Sequence, residues 1–224
     1  MTEAGGIHAL FWAAVTRLGE AQILLPAFLA GACWLAFAWS GGERARGAPA
    51  RDAAWRWLAG LCATTSVATI SKIAFLGFGI GSAALDFTGF SGHAMFSMSI
   101  LPVLGAVVGG RRGAAGGVSL AALVTVSRVD LGAHSWSEAV GGMLLGAWAA
   151  WWTLSLHLKR PGAARAPWWL PLLLLAWLTL LPWRAPPSRT HDAVVAVALK
   201  LSGRSRPYTR FELLAGLIRP PPSP

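Results

Sequence analysis

Charge is scarce in this chain. Only 12% of its 224 residues are Asp, Glu, Lys or Arg, against 55% hydrophobic. Soluble domains carry roughly 25% charged residues, so the composition excludes an ordinary soluble domain and points to the membrane class. Cysteine is scarce too. Cys33 and Cys62 are the two present. Neither has metal-ligand spacing or a Cys-x-x-Cys partner, which argues against a cysteine metal site or a dithiol redox motif. Both are expected as buried apolar thiols near the cytoplasmic ends of their spans. The opening "MTEAGGIHAL" has no Lys or Arg. It therefore lacks the basic region of a secretory signal, and the first apolar block reads as a retained span. No Walker loop, dinucleotide fingerprint or internal repeat occurs. Acidic residues are few, 9 against 19 basic ones, for a net charge of +10. In a membrane protein such an excess marks loops facing the cytoplasm and anionic lipid, so membrane lipids are expected as partners and nucleic acid is not.

What is present is apolar and comes in blocks. Six qualify as spans: Ala21–Trp39, Trp57–Phe78, Ala94–Gly110, Ala114–Ser127, Ala139–Leu156 and Pro167–Trp183. A span needs about 20 apolar residues, with a range near 17 to 25; the fourth is short for that. Pro102 should kink the third. The expected fold is all-α, a polytopic bundle in one six-span domain over residues 21–183. An interfacial N-terminal segment, 1–20, precedes it, and a basic tail, 184–224, follows. Arg44, Arg46 and Arg51, then Arg111 and Arg112, then Lys159, Arg160 and Arg165 cluster in alternate loops. The excess of basic residues in cytoplasmic loops then puts both termini on the non-cytoplasmic side. The tail, with Arg184, Arg189, Lys200, Arg204, Arg206, Arg210 and Arg219, is long enough to escape that rule.

Few ionisable residues lie near the spans, and apart from His157, which belongs to the cytoplasmic "LHLKR", counting crossings puts them on one face. Lys72 ends span two, Asp86 follows it, His93 opens span three, Arg128 closes span four with Asp130 after it, and His134 and Glu138 open span five. Unrelated end-caps would divide between the two faces. A guanidinium such as Arg128 offers a fork of donors suited to phosphate oxygens. His134 and Glu138 are four apart and stack on one helix face. A carboxylate there fixes the imidazole tautomer and stabilises the charge that follows attack. His93 is placed to protonate a leaving oxygen, and the helix start at Ser91, Gly92 and His93 aims backbone N–H groups at an anion. This describes phosphoryl transfer without a metal or cofactor. Plainer roles exist for each residue. Ser91 suits a helix N-cap, "SWSE" at 135–138 is a capping box, Lys72 can snorkel to the interface, and Asp86 and Asp130 suit loops or caps.

The pattern resembles the type 2 phosphatidic acid phosphatase family, the membrane lipid phosphatases that share a site with vanadium haloperoxidases and bacterial acid phosphatases. Its motifs are Lys-x6-Arg-Pro, Pro-Ser-Gly-His and Ser-Arg-x5-His-x3-Asp. Ser91-Gly92-His93 is similar to the second, with Phe90 for proline. Ser127-Arg128, His134 and Glu138 match the third, with glutamate for aspartate. Lys72 matches the first motif, but Gly79 and Ile80 stand where Arg-Pro is usual. Either phosphate is held without that arginine, or a tail arginine helps, or the protein is a weakened member. The resemblance covers roughly residues 57–156. It implies hydrolysis of a phosphorylated lipid through a phosphohistidine. His134 would be the nucleophile, Glu138 its orienter and His93 the general acid, while Lys72, Ser91, Gly92 and Arg128 would hold phosphoryl oxygens. The implied setting is the outer face of a bacterial inner membrane. A phosphotransferase using the same site, and a non-catalytic scaffold, are the alternatives.

Overall fold

The computed structural model describes residues 3–37, 44–157, 176–177, 180 and 190–218. These form seven helices: α1 (Glu3–Arg17), α2 (Ala21–Phe37), α3 (Arg44–Phe78), α4 (Gly92–Asp130), α5 (Trp136–His157), α6 (Thr190–Ser202) and α7 (Arg210–Leu214). Among the described residues there is no strand, only an isolated antiparallel bridge between Ser82 and Phe87. Two stretches, Arg51–Phe78 and Gly92–Asp130, are long and apolar enough to cross a membrane. A third qualifies if α1 and α2, bent by 41° at residues 18–20, are taken as one. The expected sixth span lies outside the described residues except for Ala176, Trp177 and Leu180. The indole of Trp177 donates to the Ile23 carbonyl at 2.9 Å.

The stretch α4 contains the expected third and fourth blocks, and it is a hairpin. A straight helix of its length would run about 58 Å, with residues 105 and 113 about 12 Å apart. Instead, a Cβ on Gly105 would lie 2.1 Å from the Gly113 carbonyl oxygen, and one on Gly117 would lie 2.3 Å from that of Leu101. The two arms therefore run antiparallel, backbone against backbone. The turn is made at Gly109 (φ −128°, ψ 15°) and Gly110 (φ 59°, ψ −139°), the second in a region that glycine enters without a Cβ penalty. The sharp change of direction is thus at glycines. Pro102, expected to mark a kink, keeps helical dihedrals.

Small residues set the remaining contacts, as they do wherever membrane helices approach closely. Gly142 and Gly146, one turn apart on α5, face the backbone of α4: a Cβ at either would lie 2.4 Å from the carbonyl oxygen of Ser91 or Met95. Gly60 of α3 meets Ala149 of α5. Between them sits a core of Leu24, Phe28, Trp57, Ile100, Leu104 and neighbours. Trp57 is fully buried, and its indole N–H donates to the Ser99 carbonyl at 2.9 Å. That bond removes the cost of burying an unpaired donor. The outward faces are apolar as well: Leu29, Trp55, Ile70, Leu144 and Trp151 are all exposed. Cys33 and Cys62 belong to these faces. They are exposed, contrary to the expectation of burial, because an apolar thiol gains as much from lipid as from a protein core.

Candidate active site

One end of the bundle encloses a cavity of about 420 Å³ walled by α3, the first turn of α4, the α4–α5 loop and the C-terminal segment. Lys72, Gly92, His93, Arg128 and His134 all line it. Residues spread over the sequence from 72 to 134 therefore share one wall. Ser91 and Glu138 are fully buried behind that wall.

The segment from Gly79 to Ser91 is folded so that its polar groups support this wall. α3 ends at Gly79, which takes φ +72°, and Ile80 N–H closes the helix onto the Ala74 carbonyl at 3.1 Å. The Ser82–Phe87 bridge then returns the chain. Gly89 (φ +135°) lies flat on Lys72, where a Cβ would come 2.9 Å from Lys72 Cγ, and Phe90 N–H donates to Ser71 Oγ at 3.1 Å. Ser91 is the N-cap of α4, its hydroxyl accepting from Ala94 N–H, and its own N–H donates to the Glu138 carbonyl at 3.0 Å. The plainer reading of Ser91 therefore describes its contacts. Gly92 and His93 follow it, and the N–H groups of a helix's first turn have no intrahelical partner.

His134 is held by two devices. Gly132 (φ +66°) turns the chain after α4, and the Arg128 carbonyl accepts from both Ala133 and His134 N–H, at 3.0 and 3.1 Å. The ring is then fixed by Glu138, whose Oε2 lies 2.7 Å from Nδ1, leaving Nε2 as the free nitrogen. Glu138 also closes the capping box: its Oε2 accepts from Ser135 N–H at 3.3 Å, and Ser135 Oγ accepts from Glu138 N–H at 3.3 Å. The cap and the imidazole partner are the same carboxylate. Burial holds the His134 imidazole below its ordinary pKa. The Glu138 hydrogen bond pulls it back up, while the Lys72 charge pushes it down.

Several supporting groups carry no motif. Thr88 donates through both its N–H, at 2.7 Å, and its hydroxyl to Glu138 Oε1. Thr16 of α1 accepts from Arg128 Nη1 at 2.8 Å, while buried Arg128 Nε has no hydrogen-bond partner among the described residues. Gly19 brings the α1–α2 turn against His93, where a Cβ would stand 3.0 Å from His93 Cβ. Arg210, from the tail, lines the cavity and donates to Asp86 Oδ2 at 3.1 Å and to Glu138 Oε2 at 2.5 Å. Asp130 faces away from this cluster, toward His8 at 3.6 Å. Among the described residues, no group of three or more His, Cys, Asp or Glu is arranged to hold a metal.

A histidine backed by a carboxylate, a second histidine at a helix start, and a lysine and an arginine thus surround one cavity at the end of an apolar helical bundle. The chain belongs to the PAP2 superfamily, whose pattern matches residues 77–161. Members of that superfamily are phosphatases, and this makes the chain a phosphoester hydrolase in general class and, with its apolar helices, a membrane protein. It is also 30% identical over 211 residues to an uncharacterized 22.5 kDa protein in the cps region of Klebsiella pneumoniae, covering 90% of this chain and 97% of that protein. No solved structure matches.

Proposed function

We propose that the protein hydrolyses a lipid phosphate or diphosphate monoester through a phosphohistidine, without a metal or cofactor. The observation that carries the reading is the His134–Glu138 pair. With Nδ1 held at 2.7 Å by a buried carboxylate, Nε2 carries the lone pair and belongs to a side chain on the cavity wall. Nε2 attacks phosphorus, and the bond from phosphorus to the leaving oxygen breaks. His93 gives that oxygen its proton. His93 then takes a proton from water as the water attacks the phosphohistidine, releasing phosphate and restoring both rings. Glu138 stabilises the positive imidazole that forms on attack. Lys72, Arg128 and the Gly92 amide hold the phosphoryl oxygens, and Ser91 fixes the helix start that presents that amide.

The lipid reading rests on the rest of the cavity. Away from the cations its wall mixes apolar residues, Ala68, Phe75, Leu76, Phe96 and Val194, with threonines, His191 and Tyr208, and it opens from a bundle whose outer faces are apolar. A substrate tail can remain in that environment while its headgroup meets the charges. The alternation of basic loops supports placing the site and both termini at the non-cytoplasmic face of a bacterial inner membrane. The test is phosphate release by the purified protein from phosphatidic acid and from a prenyl diphosphate, with chelator present. Turnover is expected with chelator, together with an acid-labile phosphoenzyme that is lost in His134→Ala. Strict dependence on added divalent metal would sink the scheme. Phosphate appearing only on an added alcohol, never in water, would make the protein a phosphotransferase instead.

A further inference from the structure

The C-terminal segment packs closely against the end of α3. In "GFGIG", residues 77–81, every second residue is glycine, and each glycine abuts that segment. A Cβ on Gly77 would lie 2.9 Å from the Ala198 carbonyl oxygen; one on Gly81 would meet the Phe87 carbonyl oxygen first, at 2.7 Å, and Leu213 Cδ2 at 3.1 Å. One on Gly79 would lie 2.7 Å from Ile218 Cγ2 and 3.3 Å from the Tyr208 ring. Tyr208 N–H donates to the Leu76 carbonyl at 2.9 Å. Gly79 also has φ +72°, so no longer side chain stands there without both strain and collision. The space over position 79 is filled by the tail.

What the tail delivers is a cation. Thr209 and Glu212 form a reciprocal capping box, which fixes the first turn of α7, and Arg210 lies in that turn. Its guanidinium is held from behind by Asp86 and Glu138. Asp86 takes φ +46°, a left-handed conformation uncommon for non-glycine residues, at the turn where it meets the guanidinium. A guanidinium has five N–H donors; the two carboxylates take two, and among the described residues the others have no protein acceptor. Arg210 lines the same cavity as Lys72, His93, Arg128 and His134. The two carboxylates fix the orientation of the guanidinium in the cavity wall.

We propose that Arg210 is an anion-holding residue of this site, delivered by the C-terminal segment seated on Gly77, Gly79 and Gly81, and that it takes phosphoryl oxygens beside Lys72 and Arg128. This rests on the reading of the cavity as a phosphoryl site. The test is binding of orthovanadate to the purified full chain by calorimetry, which needs no turnover. Arg210→Gln is expected to weaken binding about ten- to hundred-fold, the usual effect of losing a hydrogen bond to a charged group. Arg210→Lys, which keeps the charge and loses the fork, should fall between, and it carries the test if the glutamine variant does not fold. Gly79→Ala should displace the tail and weaken binding similarly, and the double variant Gly79→Ala/Arg210→Gln should be no worse than the poorer single one. Fully additive losses would disconnect the seat from Arg210 and overturn the delivery. Wild-type binding in both Arg210 variants, or none in the wild type, would overturn the proposal. If the wild type binds vanadate in an Arg210-dependent way yet releases no phosphate from any ester, the hydrolase reading fails while Arg210 stands. If hydrolysis proceeds and vanadate ignores Arg210, the reverse holds.

Discussion

Replacing Glu138 by glutamine tests whether the buried carboxylate acts on chemistry or only on the fold. Its two oxygens accept from five groups: Thr88 N–H and hydroxyl at Oε1, and His134 Nδ1, Ser135 N–H and Arg210 Nη2 at Oε2. A glutamine carbonyl placed at the Oε2 position still serves His134 and Ser135, so the tautomer and the helix cap survive. Its NH2 then faces Thr88 N–H, donor against donor, at a cost of about 1–3 kcal/mol, measurable as a lowered unfolding temperature. The lost charge acts on His134. A charge-assisted bond to the developing imidazolium contributes about 1.5–3 kcal/mol, which is roughly ten- to hundred-fold in kcat. The carboxylate also raises the imidazole pKa against the depressing effect of burial. Because His134 attacks in its neutral form, the acid limb of kcat/KM belongs below the ordinary imidazole value of about 6.5. In Glu138→Gln the limb should move further down. Glu138→Asp keeps the charge and changes only reach, so it should retain more activity than the glutamine variant. Initial rates across pH on a lipid phosphate, at matched folded protein, decide the matter. A glutamine variant with near-normal turnover and an unmoved acid limb would mean that Glu138 is only the far half of a cap.

Thr16→Val removes the acceptor that holds Arg128 Nη1 at 2.8 Å; KM for the phosphorylated substrate is expected to rise about three- to tenfold with kcat less affected, and an unchanged KM refutes that support. Gly146→Leu forces a side chain toward the Met95 carbonyl, 2.4 Å from the Cβ position, and should lower thermal stability by about 1–3 kcal/mol or more; unchanged melting would mean α4 and α5 do not meet there. After Cys33 and Cys62 are replaced by serine, a single cysteine at Ala84, which is exposed in the loop before α4, should react with an impermeant thiol reagent on intact cells. One at Arg112, exposed at the hairpin turn, should not, and the opposite pattern inverts the proposed topology.

Part of the cavity lining was legible in the sequence because ionisable groups are rare in an apolar chain. Lys72, His93, Arg128 and His134 stood out as ionisable residues at span ends, and they line one cavity. The break between the third and fourth apolar blocks was legible in the basic pair Arg111 and Arg112, and the structure makes the turn just before it, at Gly109 and Gly110. Thr88, Thr16 and Arg210 were not legible in the same way. Threonine is unremarked in any helix or loop, and Arg210 is one of several basic residues in a tail where charge signals topology as readily as chemistry. Their roles follow from tertiary contacts across 50, 112 and 72 residues, which local spacing does not encode. One signal was available for the tail. Three alternating glycines at 77, 79 and 81 report a backbone that something approaches closely. The cysteines misled because hydropathy does not distinguish a side chain facing lipid from one facing core.

The docking of the tail also orders events in time. During synthesis, Arg210 is added 72 residues after Glu138, a lag of roughly 4–14 s at about 5–20 residues per second. Through that interval the buried carboxylate waits with one of its donors still unmade, and the cavity lacks one wall. The cavity therefore closes late, once residues 208–218 pack onto the end of α3, and a nascent bundle already holding both histidines does not yet enclose it.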